Sequence, residues 1–168
     1  MKIKRLLVMA VVVMPLAVMA QMKIATVDVQ QIFAAMPEST QARETLDKAS
    51  QQYKAEYELM QADFNRKYDA YQAMDKNVPA TIRDRRIREI QDSDREIAAF
   101  LASTKSSLET QKQELETPIY GKIAAAIKQI GDEGGYTYII DVSKTPVAYA
   151  GEGAVDVTAA VKQLLGIE

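Results

Sequence analysis

Asp92, Asp94 and Glu96 crowd three carboxylates into five positions of this 168-residue chain. Paired acids are what general acid–base catalysis turns to when imidazole is lacking, and imidazole is lacking here: the sequence has no His, no Cys and no Trp. Asp92 and Glu96 are four apart and share a helix face, whereas Asp94 points away from both. No nucleophile converges on them, so they read as a solvated surface. Gly131-Asp-Glu-Gly-Gly135 is glycine-rich but precedes a strand-like run, the wrong order for a phosphate loop that opens a helix. Gly151-Glu-Gly153 has the right order, but Asp156 stands where a dinucleotide fingerprint has its third glycine and would repel pyrophosphate. Without Cys or His there is no disulfide, thiolate nucleophile, common zinc site or Ser-His-Asp relay. The residues therefore point to a protein that is not an enzyme and uses no cofactor or metal.

What such a chain must do instead is hold surfaces in place. Residues 1–20 read as a targeting segment: Lys2, Lys4 and Arg5, an apolar run from Leu6 to Val18, and small residues at Val18 and Ala20. Cleavage after Ala20 is expected, giving an exported protein. The apolar run is short for a bilayer span and contains Pro15. Residues 21–168 carry 18 basic and 23 acidic side chains, net −5. That balance argues against nucleic-acid binding, which depends on phosphate neutralisation.

All seven glycines lie at or after Gly121, and between Pro37 and Pro118 the one helix breaker is Pro79. This distribution predicts two long helices, from about Ser39 to Asp75 and from about Ala80 to Thr117. The first carries a stripe through Leu46, Ala49, Tyr53, Tyr57, Met60, Phe64, Tyr68, Tyr71 and Met74. The second carries Ile87, Ile90, Asp94, Ile97, Leu101, Thr104, Leu108, Gln111 and Leu115, with three polar positions in the seam. Asn77-Val-Pro79 supplies the turn for an antiparallel hairpin of roughly 55 Å.

The hairpin brings Pro37 back beside Pro118, so the outer segments must meet. Lys23–Val29 reads as a strand, Ile119–Ile130 as a separate helix, Tyr136–Val142 and Val147–Ala150 as two further strands, and a last helix starts near Asp156 or Thr158. The fold class is α+β, mainly α: a small β body, residues 21–36 and 118–168, bearing a helical hairpin prong, residues 37–117. So small a body has a thin core and open strand edges, and self-association through the sheet would supply both. Ile24, Val27, Val29, Tyr138, Ile140 and Val142 are the candidate contacts of a homo-oligomer.

Several motifs together resemble the Skp/OmpH family of periplasmic chaperones. They are Lys23-Ile-Ala-Thr-Val-Asp-Val-Gln-Gln-Ile-Phe33, Pro37-Glu38, Gly135-Tyr-Thr-Tyr-Ile-Ile-Asp141, Val147-Ala-Tyr-Ala150 and Asp156-Val-Thr158. The resemblance implies a periplasmic homotrimer whose strands form a shared barrel. Its prongs would enclose a cavity that holds unfolded outer-membrane proteins without ATP and prevents their aggregation. The chain departs from a strongly basic member of that family in being net −5 over residues 21–168.

Candidate client-binding residues toward the free end are Tyr57, Tyr68, Tyr71, Met74, Val78, Ile82 and Ile87, which could equally pack within the hairpin. At the tip, Lys76, Arg83, Arg85, Arg86 and Arg88 face one acid, Asp84. They form a candidate contact for anionic clients, lipopolysaccharide or an anionic membrane surface. Charge pairs at four-residue spacing (Asp84–Arg88, Arg85–Glu89, Arg88–Asp92) are the alternative use of the same residues. An envelope scaffold that grips one folded partner through its coiled coil is the alternative function.

Overall fold

Asp28 ends a strand and begins a helix. Its backbone is extended and its Oδ1 accepts the Gln31 N–H at 2.8 Å, satisfying one of the free donors of the first turn. The strand expected over Lys23–Val29 is therefore shorter, β1 (Ile24–Val27), and Val29 already opens α1 (Val29–Ala35). The computed structural model describes residues 22–167, so the expected targeting segment and the cleavage expected after Ala20 lie outside the described residues. After α1 come α2 (Pro37–Gln72), α3 (Ala80–Gly134), β2 (Tyr138–Asp141), β3 (Val155–Asp156) and α4 (Thr158–Leu164).

The turn at Asn77–Pro79 forms as expected, with Asp75 Oδ1 accepting the Asn77 N–H at 2.7 Å and Val78 N donating to the Asp75 carbonyl. The 36 residues of α2 extend about 54 Å. The second helix does not stop at Thr117. It runs 55 residues through Pro118, so the break expected there and the separate helix from Ile119 merge into one. Proline removes the N–H that the Glu114 carbonyl would use, at a cost of up to about 3 kcal/mol. Burial offsets it, because Leu115, Ile119, Ile123 and Ala126 continue one apolar face into the core. Gly135 ends the helix in the left-handed region (φ 63°), which lets Tyr136 N donate to the Gly131 carbonyl at 3.1 Å. Lys23 Nζ reaches the carbonyl of Gly134 at 2.7 Å and lies 4.2 Å from the centre of the Tyr136 ring, tying the start of β1 to the end of α3.

The sheet has order β2-β1-β3 with all strands parallel, Ile24 opposite Tyr138 and Ala25 opposite Val155. Val147–Ala150, expected as a strand, is not one; Val155–Asp156 takes that edge of β1. The reason lies just beyond it: Val157 is buried in the core, and Asp156 Oδ1 accepts both the N–H and the hydroxyl of Thr158 at the start of α4. The core beneath the sheet joins Ala25 and Val27 of β1, Ile32 and Phe33 of α1, Ile119 and Ile123 of α3, and Val161 of α4.

Along the prong the helices meet slightly out of the expected phase. Lys67 and not Tyr68 turns inward, held by Asp63 at 2.7 Å and donating to the buried Ser93 hydroxyl at 3.3 Å while its methylene stem lies along the seam. Phe100 packs edge-on against Tyr53 at 6.2 Å, so Leu101 is turned outward; Ser93 takes the inner position expected for Asp94. Thr104 Oγ1 is buried without a hydrogen-bond partner. Thr104→Val is isosteric and removes that desolvated group, so it is expected to raise the unfolding free energy by about 1 kcal/mol in a urea titration. A fall in stability would show that the hydroxyl is satisfied in solution.

Candidate functional site

Exposed apolar side chains fall mainly on two surfaces. The first is the prong. Large apolar side chains stand exposed on it: Leu59 (66%), Leu101 (48%), Tyr68 (45%) and Ile82 (39%). Of the expected client-facing residues, Tyr68 and Ile82 are in this group, whereas Tyr57, Tyr71, Met74, Val78 and Ile87 are half-buried along the hairpin. Leu59 escaped the sequence reading because it lies one residue before Met60, off the stripe; an apolar residue out of phase with its helix is the signal that would have found it.

Lys76, Arg83, Arg85, Arg86 and Arg88 lie at the free end, at the turn and in the first turns of α3. Arg86 pairs with Glu89 at 2.7 Å and Arg85 reaches the same carboxylate at 3.8 Å, while Arg83 donates to the Lys76 carbonyl at 3.1 Å. The expected pairs Asp84–Arg88 and Arg88–Asp92 are not formed; Asp92 pairs with Arg95 three residues on. Among the described residues Lys76, Arg83 and Arg88 have no carboxylate partner.

The second surface is the outer face of the sheet. Strand alternation sends Ile139 toward the core and leaves Tyr138 and Ile140 outward, 59% and 40% exposed, beside Ile24 of β1. Met22, Ile24, Ile140, Val147, Tyr149 and Val155 line an open cleft of about 650 Å³ on this face, with Tyr149 85% exposed. Three of the six expected contacts change place. Val27 is buried in the core of its own chain, Val29 packs against that core, and Val142 is half-buried. In β1, alternation turns Ala25 and Val27 inward and leaves Ile24 outward, so Ile24 and Val27 cannot share one face, and the strand ends before Val29.

Carboxylates fix the far ends of the strands. Asp141 Oδ1 accepts the Ser143 hydroxyl at 2.6 Å, the Ser143 N–H at 2.9 Å and the Val29 N–H at 3.4 Å. Burial pushes its pKa up, but the Ser143 and Val29 hydrogen bonds and the Lys144 charge outweigh it and hold the carboxyl below its ordinary value. A carboxylate depressed in the folded state stabilises the fold above its unfolded pKa of about 3.9, and that contribution is lost as pH falls through the lower folded value. Asp141→Asn is therefore expected to lower stability at pH 7 and to flatten the acid limb of the stability curve below about pH 4. Parallel acid limbs for the two proteins would contradict it. At the base of the prong Lys122 bridges to Glu38 at 2.7 Å and holds that carboxyl low as well.

Among the described residues no cluster of acids fits a metal ion, and no helix is long and apolar enough to cross a membrane. A long helical hairpin rising from a small sheet, with apolar side chains exposed on both, defines a class of protein that works by surface contact. The chain belongs to the OmpH-like family: the family model described as Outer membrane protein (OmpH-like) matches residues 23–165. The fold is also similar to the crystal structure of a candidate outer membrane chaperone (OmpH-like) from Caulobacter crescentus CB15. The TM-score is 0.69 at 14% identity, covering 86% of this chain and 83% of that one. No curated protein matches the sequence.

Proposed function

We propose that this protein is an ATP-independent holdase of the periplasm, which shelters unfolded outer-membrane proteins between helical prongs and keeps them from aggregating. The observation that carries the reading is the exposure of Leu59, Leu101, Tyr68 and Ile82, large apolar side chains spread over the sides of a hairpin about 54 Å long. Scattered apolar contacts of this kind are individually weak, but several acting within one enclosed volume hold a client well. Tyr57, Tyr71, Met74, Val78 and Ile87 extend the same surface when the hairpin loosens. Membership of the OmpH-like family and the chaperone description of the Caulobacter protein support the reading. A cleaved leader ending at Ala20 would deliver the chain to that compartment.

The cavity needs more than one prong. The apolar outer face of the sheet, centred on Ile24, Tyr138, Ile140 and Tyr149, is the surface through which three copies would join, with prongs projecting from a common body. The basic tip, Lys76 with Arg83, Arg85, Arg86 and Arg88, would then form a positive rim that meets lipopolysaccharide or an anionic membrane.

The test is dilution of a urea-unfolded outer-membrane β-barrel into buffer with this protein in molar excess. Suppressed light scattering is the expected result. Undiminished aggregation, with capture of a single folded envelope protein instead, would turn the reading to a scaffold. Arg83, Arg85 and Arg86 replaced by Ala should weaken binding to anionic vesicles at low salt; unchanged binding would remove the role proposed for the tip.

A further inference from the structure

The prong is two electrical zones. The tip, residues 76–88, has five cations and one acid. The shaft, residues 37–75 and 89–117, has fifteen acids and eight cations, a net charge of −7. Pairing within the shaft leaves that sign unchanged. Lys54, Arg66, Lys67 and Arg95 are each engaged by a carboxylate of their own helix, whereas the exposed Glu56, Asp69, Asp94 and Glu96 have no cationic partner among the described residues. These acids stand near the exposed apolar groups. Glu56 is one turn before Leu59 on the same face, and Asp69 adjoins Tyr68. The Tyr53–Phe100 and Lys67–Ser93 contacts place residues 53–67 beside 93–100, which brings Glu96 to about the height of Leu59, with Asp94 on the other flank of α3.

From this arrangement we infer that the shaft selects unfolded polypeptide segments in which apolar side chains alternate with basic ones. The inference rests on the holdase reading and names the chemistry of its client. A wall of one sign around a confined volume concentrates opposite charge and repels like charge. When copies of the chain stand side by side in a closed symmetric assembly, equivalent heights face one another, so shaft faces shaft and the acids add. An apolar segment flanked by Lys or Arg gains both contacts at once; an acidic one gains the apolar contact against a repulsive field. The tip has the opposite sign and does not provide this preference.

The experiment uses the full-length exported protein and two dye-labelled unfolded polypeptides of equal length and apolar content, one with Lys and one with Glu at every charged position. Fluorescence anisotropy at low salt is expected to show the Lys polypeptide bound about tenfold tighter. The difference should vanish in about 1 M NaCl, where screening reaches within about 3 Å. Equal affinities at low salt, or tighter binding of the Glu polypeptide, would overturn the inference and leave the holdase reading standing. Failure to bind either would overturn both. The triple variant Glu56→Gln, Asp94→Asn, Glu96→Gln changes exposed acids without ion-pair partners and should bring the two affinities toward parity. Replacement of Arg83, Arg85, Arg86 and Arg88 by Ala should leave Lys-polypeptide binding unchanged or tighter; weaker binding would place the selectivity at the tip and overturn the assignment to the shaft.

Discussion

Ile123→Ala is expected to lower the unfolding free energy by about 3 kcal/mol, measured by urea denaturation at fixed chain concentration. Ile123 is 1% exposed and belongs to the cluster that joins β1, α1, α3 and α4. The loss combines the transfer energy of the missing carbons with the cavity they leave, and four elements converging on one site cannot all move in to fill it. The body is small, so this is a large share of its total stability. The same substitution at Ile97, midway along the prong, leaves a gap that two helices can close by approaching each other, and should cost less. Equal effects at the two sites would mean that the body has no dominant core.

The second large effect concerns the outer face of the sheet. Tyr138→Glu combined with Ile140→Glu should weaken the proposed assembly by 100-fold or more and leave a folded single chain in sedimentation analysis. Both side chains point away from the core, so each chain retains its fold, yet every copy would bring two like charges to a contact stabilised by apolar burial. Loss of aggregation suppression should accompany loss of mass, because one prong encloses nothing. An unchanged mass would move the contact to another face, with the exposed Leu164 of α4 as the next place to look.

The prong was legible because helix breakers are the loudest words in a sequence. Glycine confined to the last third and Pro79 at the midpoint leave little choice over residues 37–117. Pro118 misled for the same reason: its local cost is real, but Ile119 and Ile123 are worth more in the core than the missing hydrogen bond. The strand at Val147–Ala150 followed from β-like residues, and only the demand of Val157 for the core and Asp156 for the start of α4 put Val155–Asp156 on the sheet. Within the prong a shift of one residue decided the surface. Hydrophobicity favoured Tyr68 and Leu101 for the seam; the Asp63–Lys67–Ser93 contacts and the Tyr53–Phe100 packing turned both outward. Tyr68 and Leu101 are thus exposed because long-range pairing excluded them, and a local pattern carries no record of that competition; Leu59, off the stripe, was exposed by its local phase alone.

The middle strand of the sheet is the first piece of the described chain to be made, and its two neighbours are among the last. Ile24–Val27 pairs with Tyr138–Asp141 and Val155–Asp156, more than a hundred residues downstream. A ribosome or a translocon that delivers the chain from its beginning therefore releases β1 with no partner to pair with. The hairpin, whose contacts form between its own two limbs, can zip up meanwhile and bring the two ends of the chain within reach, shortening a loop closure that would otherwise be slow. The long limbs can in this sense serve folding as well, by gathering the ends before the body closes.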